Sequence, residues 1–377
     1  MEEQIQTGET RETLTDNANA AENMQEPEAE AKGETVAETT DNSSGKGITG
    51  STLKIIAIIS MFIDHFGASI VEFYLYRILT PYDADYCKAL ICSKAPWLWM
   101  DWMGDAAKVQ SLDITLRAIG RLAFPIFCFL LVEGFLHTHN MKKYLLRLGL
   151  FALFSEVIFD FAFLGQVYFK HQNVFFTLFI AVLALMAADH VRKQESFNGF
   201  HRFAHKIGIL IAGVFGAYAS ITSMGSIIGM VVGSALELGD IIQKVISGAC
   251  GFIFGVVFWL IKMKKYDAGM KLRINVGMLY VLGFFTLAEL LFTDYGGWGV
   301  LAVVAIWIAR PGWIKGFNAG VTALSIMSLA ELTAFLAALP VEMYNGKRGL
   351  KMKYFFYVFY PAHLLLFVLI RRWLLGM

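Results

Sequence analysis

Ten stretches of this chain are apolar over lengths that approach or exceed a bilayer crossing: roughly 53–72, 114–136, 143–164, 173–190, 207–236, 243–261, 274–293, 296–309, 317–339 and 352–374. A helix needs about 20 apolar residues to cross the hydrocarbon. Backbone in lipid must satisfy its own hydrogen bonds, so runs of this kind span as helices. The fifth stretch is longer than one crossing and the eighth shorter. Apolar residues make up 56% of the chain and charged residues 17%, against about 25% charged in soluble domains. That balance excludes an ordinary soluble enzyme, a fibrous repeat and a disulfide-stapled secreted domain. The expected class is an all-α polytopic integral membrane protein of about ten transmembrane helices, residues 51–377, behind a disordered acidic N-terminal tail.

The tail is residues 1–50, with 12 Asp/Glu against three Lys/Arg and no aromatic residue. Such a segment cannot bury enough apolar surface to offset its ordering entropy. It reads as a solvated cytoplasmic spacer. Met1 is followed by no basic n-region and apolar h-region, so no cleavable signal is expected and the run from Leu53 must direct insertion.

Lys and Arg in the connections set the orientation. With the N-terminus inside and ten crossings, the inner connections hold sixteen bases and the outer ones ten. This predicts a multi-pass protein of the plasma or inner membrane with both termini cytoplasmic and the 73–113 loop external. The connection with Lys347, Arg348, Lys351 and Lys353 dissents. Cys87 and Cys92 share the external loop, where a disulfide between them is allowed. Gly225, Gly229 and Gly233, and then Gly251 and Gly255, have the spacing that brings helices into close contact in lipid.

Ionisable side chains at membrane depth cost about 2.5–3.5 kcal/mol each on insertion scales, and so need a partner or a task. Asp64, His65, Arg117, Arg121, Glu133, Glu156, Asp160, Glu289, Glu331 and His363 are such residues, with Asn173 and Asp294 at span ends. Nearly all are expected to converge on the outer half, with Asp64 and His65 at or just beyond mid-depth, His363 near the middle and Glu133 alone toward the inner face. Arg117 and Arg121 share one helix face, as do Glu156 and Asp160. The two pairs are expected either to fasten spans 2 and 3 together or to belong to a site. Asp64 and His65, being adjacent, point about 100° apart, so any group that orients His65 must come from another span. Pro361, two residues before His363, is expected to break its helix and open a polar cavity. His137 and His139 are too few ligands for a metal, and no metal is expected.

Several motifs occur together. They are Leu53-Lys54-Ile55-Ile56-Ala57 with Met61-Phe62-Ile63-Asp64-His65-Phe66-Gly67, Gly120-Arg121-Leu122-Ala123-Phe124-Pro125 with Glu133-Gly134-Phe135, and Lys143-Tyr144-Leu145 with Ser155-Glu156 and Asp160. Gln172-Asn173-Val174-Phe175-Phe176-Thr177, Asp294-Tyr295-Gly296, Gly299-Val300-Leu301 and Tyr360-Pro361-Ala362-His363-Leu364 complete the set. As a set they resemble the TraX family of integral membrane proteins. The tail and roughly residues 200–270 stand outside these motifs as additions. The resemblance implies acetylation of a pilin N-terminus and kinship with transmembrane acyltransferases that use acyl-CoA.

The reading that joins residues and resemblance is a membrane-embedded acetyltransferase with acetyl-CoA as co-substrate. Its acceptor is an amine or hydroxyl, on a pilin-like protein or a surface compound; no nucleic-acid partner is expected. His65 or His363 is the base, with Asp64 beside His65. Arg121, Arg117 or Asn173 holds the oxyanion or the acceptor. Glu156, Asp160 or Glu289 orients the histidine, and Asp294 lies in the acceptor region. CoA approaches from the inner face past Lys142, Lys143 and Glu133. The rival is a multispan transporter or proton-coupled flippase, because membrane Asp, Glu and His also mark proton pathways.

Overall fold

The computed structural model describes residues 47–222, 239–310, 312–350 and 353–375. The acidic tail up to residue 46, and Gly225, Gly229 and Gly233, lie outside the described residues. Within them the secondary structure is helical, with isolated bridges at Ile48–Tyr344 and Gln172–Thr293. The first span, α1 (Gly50–Leu79), is a 30-residue helix with π-helical turns at Gly67–Val71 and Leu75–Leu79. The connection after α1 contains α2 (Ala84–Cys92). The second span comprises α3 (Ala106–Gly120) and α4 (Ala123–Leu136). It starts before the apolar run because Asp105 caps it, accepting from the Ala107 and Lys108 amides. There follow α5 (Met141–Phe163), α6 (Val174–Lys193), the short α7 (Gly199–Lys206), α8 (Gly208–Thr222), α9 (Asp240–Met263), α10 (Ala268–Leu290) and α11 (Gly296–Ile308). The chain closes with α12 (Trp313–Met327), a 3-10 segment (Leu329–Ala337), α13 (Ala338–Glu342) and α14 (Lys353–Leu375).

Helix directions follow from contacts along their lengths. The ammonium of Lys54 lies over the Phe356 ring, His65 bonds His363, and Arg371 reaches Ser69 and the Phe73 ring. So α14 runs parallel to α1. It also runs parallel to α5, with Tyr357 against Phe151 and Arg371 against Ala162. Ten alternating crossings would have made α14 antiparallel to α1. The ninth apolar stretch accounts for the difference, because it does not cross. At Ser328 the backbone turns extended (φ −151°, ψ 136°), and its hydroxyl accepts from the Ala330 amide. The 3-10 segment and α13 then return the chain to where α12 began, and the Trp313 and Tyr344 rings meet at 4.9 Å. Irregular backbone at this depth is tolerated because protein buries it; Ala334, Ala337 and Glu331 are fully enclosed.

The described helices are therefore laid out as nine lengths of the bundle and one hairpin, and six helical stretches among them are long and apolar enough to cross a membrane. The start of α1 and the end of α14 lie at opposite ends of the bundle, whereas ten alternating crossings would have put them at the same end. The dissent in the charge count disappears as well. The Lys347–Lys353 connection moves to the inner side and Arg371 and Arg372 move out, so sixteen against ten becomes eighteen against eight. We call the richer side the basic end. At the far end Arg371 donates to the carbonyls of Phe161 and Ala162, both at 2.7 Å, and so satisfies the last turn of α5.

The main core lies between α4, α6, α11 and α12, with Phe129, Leu185, Val303, Phe317 and Leu324 enclosed. Against its side, α8 and α9 cross closely. A Cβ at Gly251 would collide with the Gly216 carbonyl and one at Gly255 with that of Ala212, as the small-residue spacing predicted. Cys87 and Cys92 are free thiols on one helix, α2. Five residues apart on one helix, they point roughly 140° from each other and cannot bridge.

Candidate active site

Asp64 and His65 sit about midway along α1 and face different partners. Asp64 faces α3, where its Oδ2 lies 2.9 Å from Arg117 Nη1. A Cβ at Gly120 would collide with the Asp64 side chain, so the bare glycine lets α3 approach here. His65 faces α14, with its Nδ1 2.7 Å from His363 Nε2 and the ring planes 8° apart. The proton positions in this pair follow from the next partner. His363 Nδ1 is 2.7 Å from the Phe359 carbonyl oxygen, which can only accept. That nitrogen carries its proton and donates. Neutral His363 then has its lone pair on Nε2 and accepts from His65 Nδ1–H. Neutral His65 is left with a lone pair on Nε2, the configuration of a general base. Pro361 does not break α14, which runs through it; its neighbour His363 is placed by the carbonyl one turn earlier.

Arg121 is placed by Pro125. Proline has no N–H for the Arg121 carbonyl four residues back, and its ring crowds that carbonyl. The second span accordingly breaks at Arg121 and Leu122, between α3 and α4. Arg121 Nη1 lies 2.9 Å from Oε1 of Glu331, which is fully buried just past the hairpin turn. Thr333 Oγ1 donates to the Ala118 carbonyl at 3.2 Å and fastens the hairpin there. The Tyr295 phenol lies against Arg121, and its ring stacks on Phe124 at 3.5 Å.

These partners correct the expected arginine–carboxylate network. Glu156 and Asp160 pair with neither arginine. Glu156 Oε2 accepts from the Asn173 amide at 2.9 Å and from its Nδ2 at 2.6 Å, and Asp160 Oδ2 accepts from the Tyr168 amide at 2.8 Å. The two carboxylates shape the turn from α5 to α6, and Asn173 is spent there, since its Oδ1 also caps Phe175. Glu289 Oε1 accepts from the Gly297 amide at 2.9 Å and caps α11. None of these three carboxylates orients a histidine; His363 holds that place. Asp294, on the turn before α11, is 3.7 Å from His171.

What converges is a cavity of about 330 Å³ beyond mid-depth, toward the far end. Asp64, His65, Arg117, Arg121, His171, Asp294 and Tyr295 line it, with Phe159 and Phe163 as apolar wall. Of the residues expected for CoA, Lys142 and Lys143 are exposed at the start of α5, while Glu133 lines a different cavity at the basic end. Sequence reasoning missed His171 and gave Tyr295 no role, although Tyr295 stood inside a quoted motif. Glu331 was marked as an ionisable group at depth, but its pairing with Arg121 depends on the hairpin.

A helical bundle with a histidine pair, two guanidinium groups and carboxylates around an internal cavity is a polytopic membrane protein with a polar site within its helices. The chain belongs to the family described as TraX protein, which matches residues 49–240 and 250–371. The match runs through most of residues 200–270, so this region is part of the family's chain and not an addition. Over 79 residues the chain is 44% identical to a Dichelobacter nodosus protein named "Probable fimbrial assembly protein FimC, serogroup H1", covering 19% of this chain and 32% of that one. The chain thus spans about a third of the length of that relative. No solved structure matches it.

Proposed function

We propose that the protein transfers an acyl group, acetyl from acetyl-CoA, to an amine or hydroxyl presented in the far-end cavity. The observation that carries this reading is the His65–His363 hydrogen bond beside Arg117 and Arg121. His65 Nε2 takes the proton of the acceptor as its nitrogen or oxygen attacks the thioester carbonyl. The guanidinium groups and the Tyr295 hydroxyl are the donors at hand for the oxyanion, and stabilising that charge is usually the largest single catalytic term. When the intermediate collapses, the C–S bond breaks and His65 returns its proton to the departing sulfur. His363 keeps the His65 tautomer fixed throughout. Family membership and the fimbrial name of the relative favour a pilin-like N-terminus as acceptor. The basic end is cytoplasmic by the positive-inside rule, which puts the supply of acetyl-CoA on one side of the membrane and acceptor capture toward the other.

The test is to incubate purified protein with labelled acetyl-CoA and a pilin-like peptide bearing a free N-terminus, and to measure free CoA and labelled peptide. Release of CoA that depends on the peptide is expected. The transporter reading is favoured by one observation, the two cavities at opposite ends of the bundle. Peptide or solute uptake into proteoliposomes, with no CoA released, would make it the better account.

A further inference from the structure

The bundle holds a second and larger cavity, of about 530 Å³, at the basic end. The starts of α1 and α5, the end of α4, α14 and the loop after the hairpin enclose it. Lys54, Arg147 and Arg348 line it, and among the described residues none of the three forms an ion pair. The Nε of Arg147 is buried without a hydrogen-bond partner. Arg348 is held by its backbone, since its carbonyl accepts from the Ser51 amide at 3.0 Å and Leu350 N donates to Ser51 Oγ at 3.0 Å. Glu133 is the sole acid among the lining residues. Three cations without counter-charges, Lys54 and Arg147 half-buried and Arg348 exposed, are placed for a ligand with several negative charges.

The remainder of the lining is mostly apolar and aromatic and includes Met61, Phe175 and Tyr360. Tyr360 and Phe175 meet edge to face at 4.8 Å, and the other side of Tyr360 packs on His65 at 5.7 Å. These rings part the two cavities. On α1 the distance from Lys54 to His65 is eleven residues, about 16 Å of helix. A ligand serving both ends needs a polyanionic head, an arm of about that length and a reactive group at its tip.

We infer that the basic-end cavity binds the phosphorylated head of a CoA thioester, with Lys54, Arg147 and Arg348 on its phosphates and its arm reaching toward the Tyr360–Phe175 wall. This rests on the acyl-transfer reading. It assigns the head to residues other than Lys142 and Lys143. An anionic phospholipid shares the phosphate chemistry, and the experiment separates the two.

Binding of CoA to the purified full-length chain is measured by calorimetry in phosphatidylcholine nanodiscs, for wild type, Arg147→Gln, Arg348→Gln and His65→Gln. Affinity is expected to fall about tenfold or more in each arginine variant and to stay unchanged in His65→Gln. Because an arginine variant can fail to fold, a second measurement uses Thr138→Cys at the cavity rim: CoA should slow its thiol labelling at least several-fold. Unchanged CoA affinity in folded arginine variants overturns the site, even where acetyl-CoA turnover stands. Absence of CoA binding, with loss of phosphatidylglycerol retention in the arginine variants, also overturns it and makes the cavity a lipid site. Arginine-dependent CoA binding without turnover supports the site and sinks the proposed reaction instead.

Discussion

His65 and His363 lie 298 residues apart in the chain, yet their rings share a 2.7 Å hydrogen bond and nearly one plane. The relationship depends on α1 and α14 running in the same direction, and on the Phe359 carbonyl, which fixes the proton of the second ring. The lone pair of the first is thereby directed to Nε2. His65→Gln is expected to leave the fold intact and to lower acyl transfer by about 10²–10⁴-fold, the range for general-base loss. His363→Gln should cost less, since glutamine can still accept from His65 Nδ1 through its amide oxygen. Single-turnover rates with labelled acetyl-CoA measure both. Full activity in His65→Gln with none in His363→Gln would reverse the assignment.

The Arg121–Glu331 pair makes a different kind of prediction. Breaking a buried pair by removing one partner costs about 3–5 kcal/mol, because the other charge is left uncompensated. Glu331→Ala should therefore lower the melting temperature in detergent. A double substitution, Arg121→Met with Glu331→Met, should regain much of that stability while staying inactive. Recovery of activity in the double variant would remove Arg121 from the site.

Gly120→Ala tests the approach of α3 to α1. The new methyl would occupy the position of the Asp64 side chain, so the Asp64–Arg117 pair should open. Activity should fall more steeply than in Ala118→Gly, two residues back and about 200° round the helix. An unchanged rate would mean that the Asp64–Arg117 geometry is not used.

The hairpin predicts sidedness. In a background without native cysteines, Trp97→Cys in the loop before α3 and Arg372→Cys near the end of α14 should both react with an impermeant thiol reagent in intact cells. Asn345→Cys should react only after lysis. Protection of Arg372→Cys together with exposure of Asn345→Cys would restore ten crossings.

Much of the membrane-helix pattern was legible in the sequence, since six helical stretches on the apolar runs are long and apolar enough to cross a membrane. So was the divergence of Asp64 and His65, which follows from 100° per residue. Direction was not legible. Hydropathy is the same for a chain that crosses and one that turns back, and the turn at Ser328 is made by one extended residue. With the hairpin unseen, Glu331 had no visible route to Arg121, and Glu156 and Asp160 looked like the natural partners. Their true partners are the amides of Asn173 and Tyr168, and backbone donors leave no trace in charge patterns. The oversupply of bases between residues 347 and 353 was the sequence's one sign that a crossing had been miscounted.

The rings of Tyr360 and Phe175 have a consequence outside chemistry. Two water-accessible hollows that approach each other from opposite faces make up most of a channel, and a membrane that stores energy as a proton gradient cannot tolerate one. On the acyl-transfer reading, the group handed across this wall has to pass while the aromatic pair still blocks ions, as in a lock with its gates nearly closed. On that reading the size of those two side chains keeps the membrane sealed as well as serving the proposed reaction.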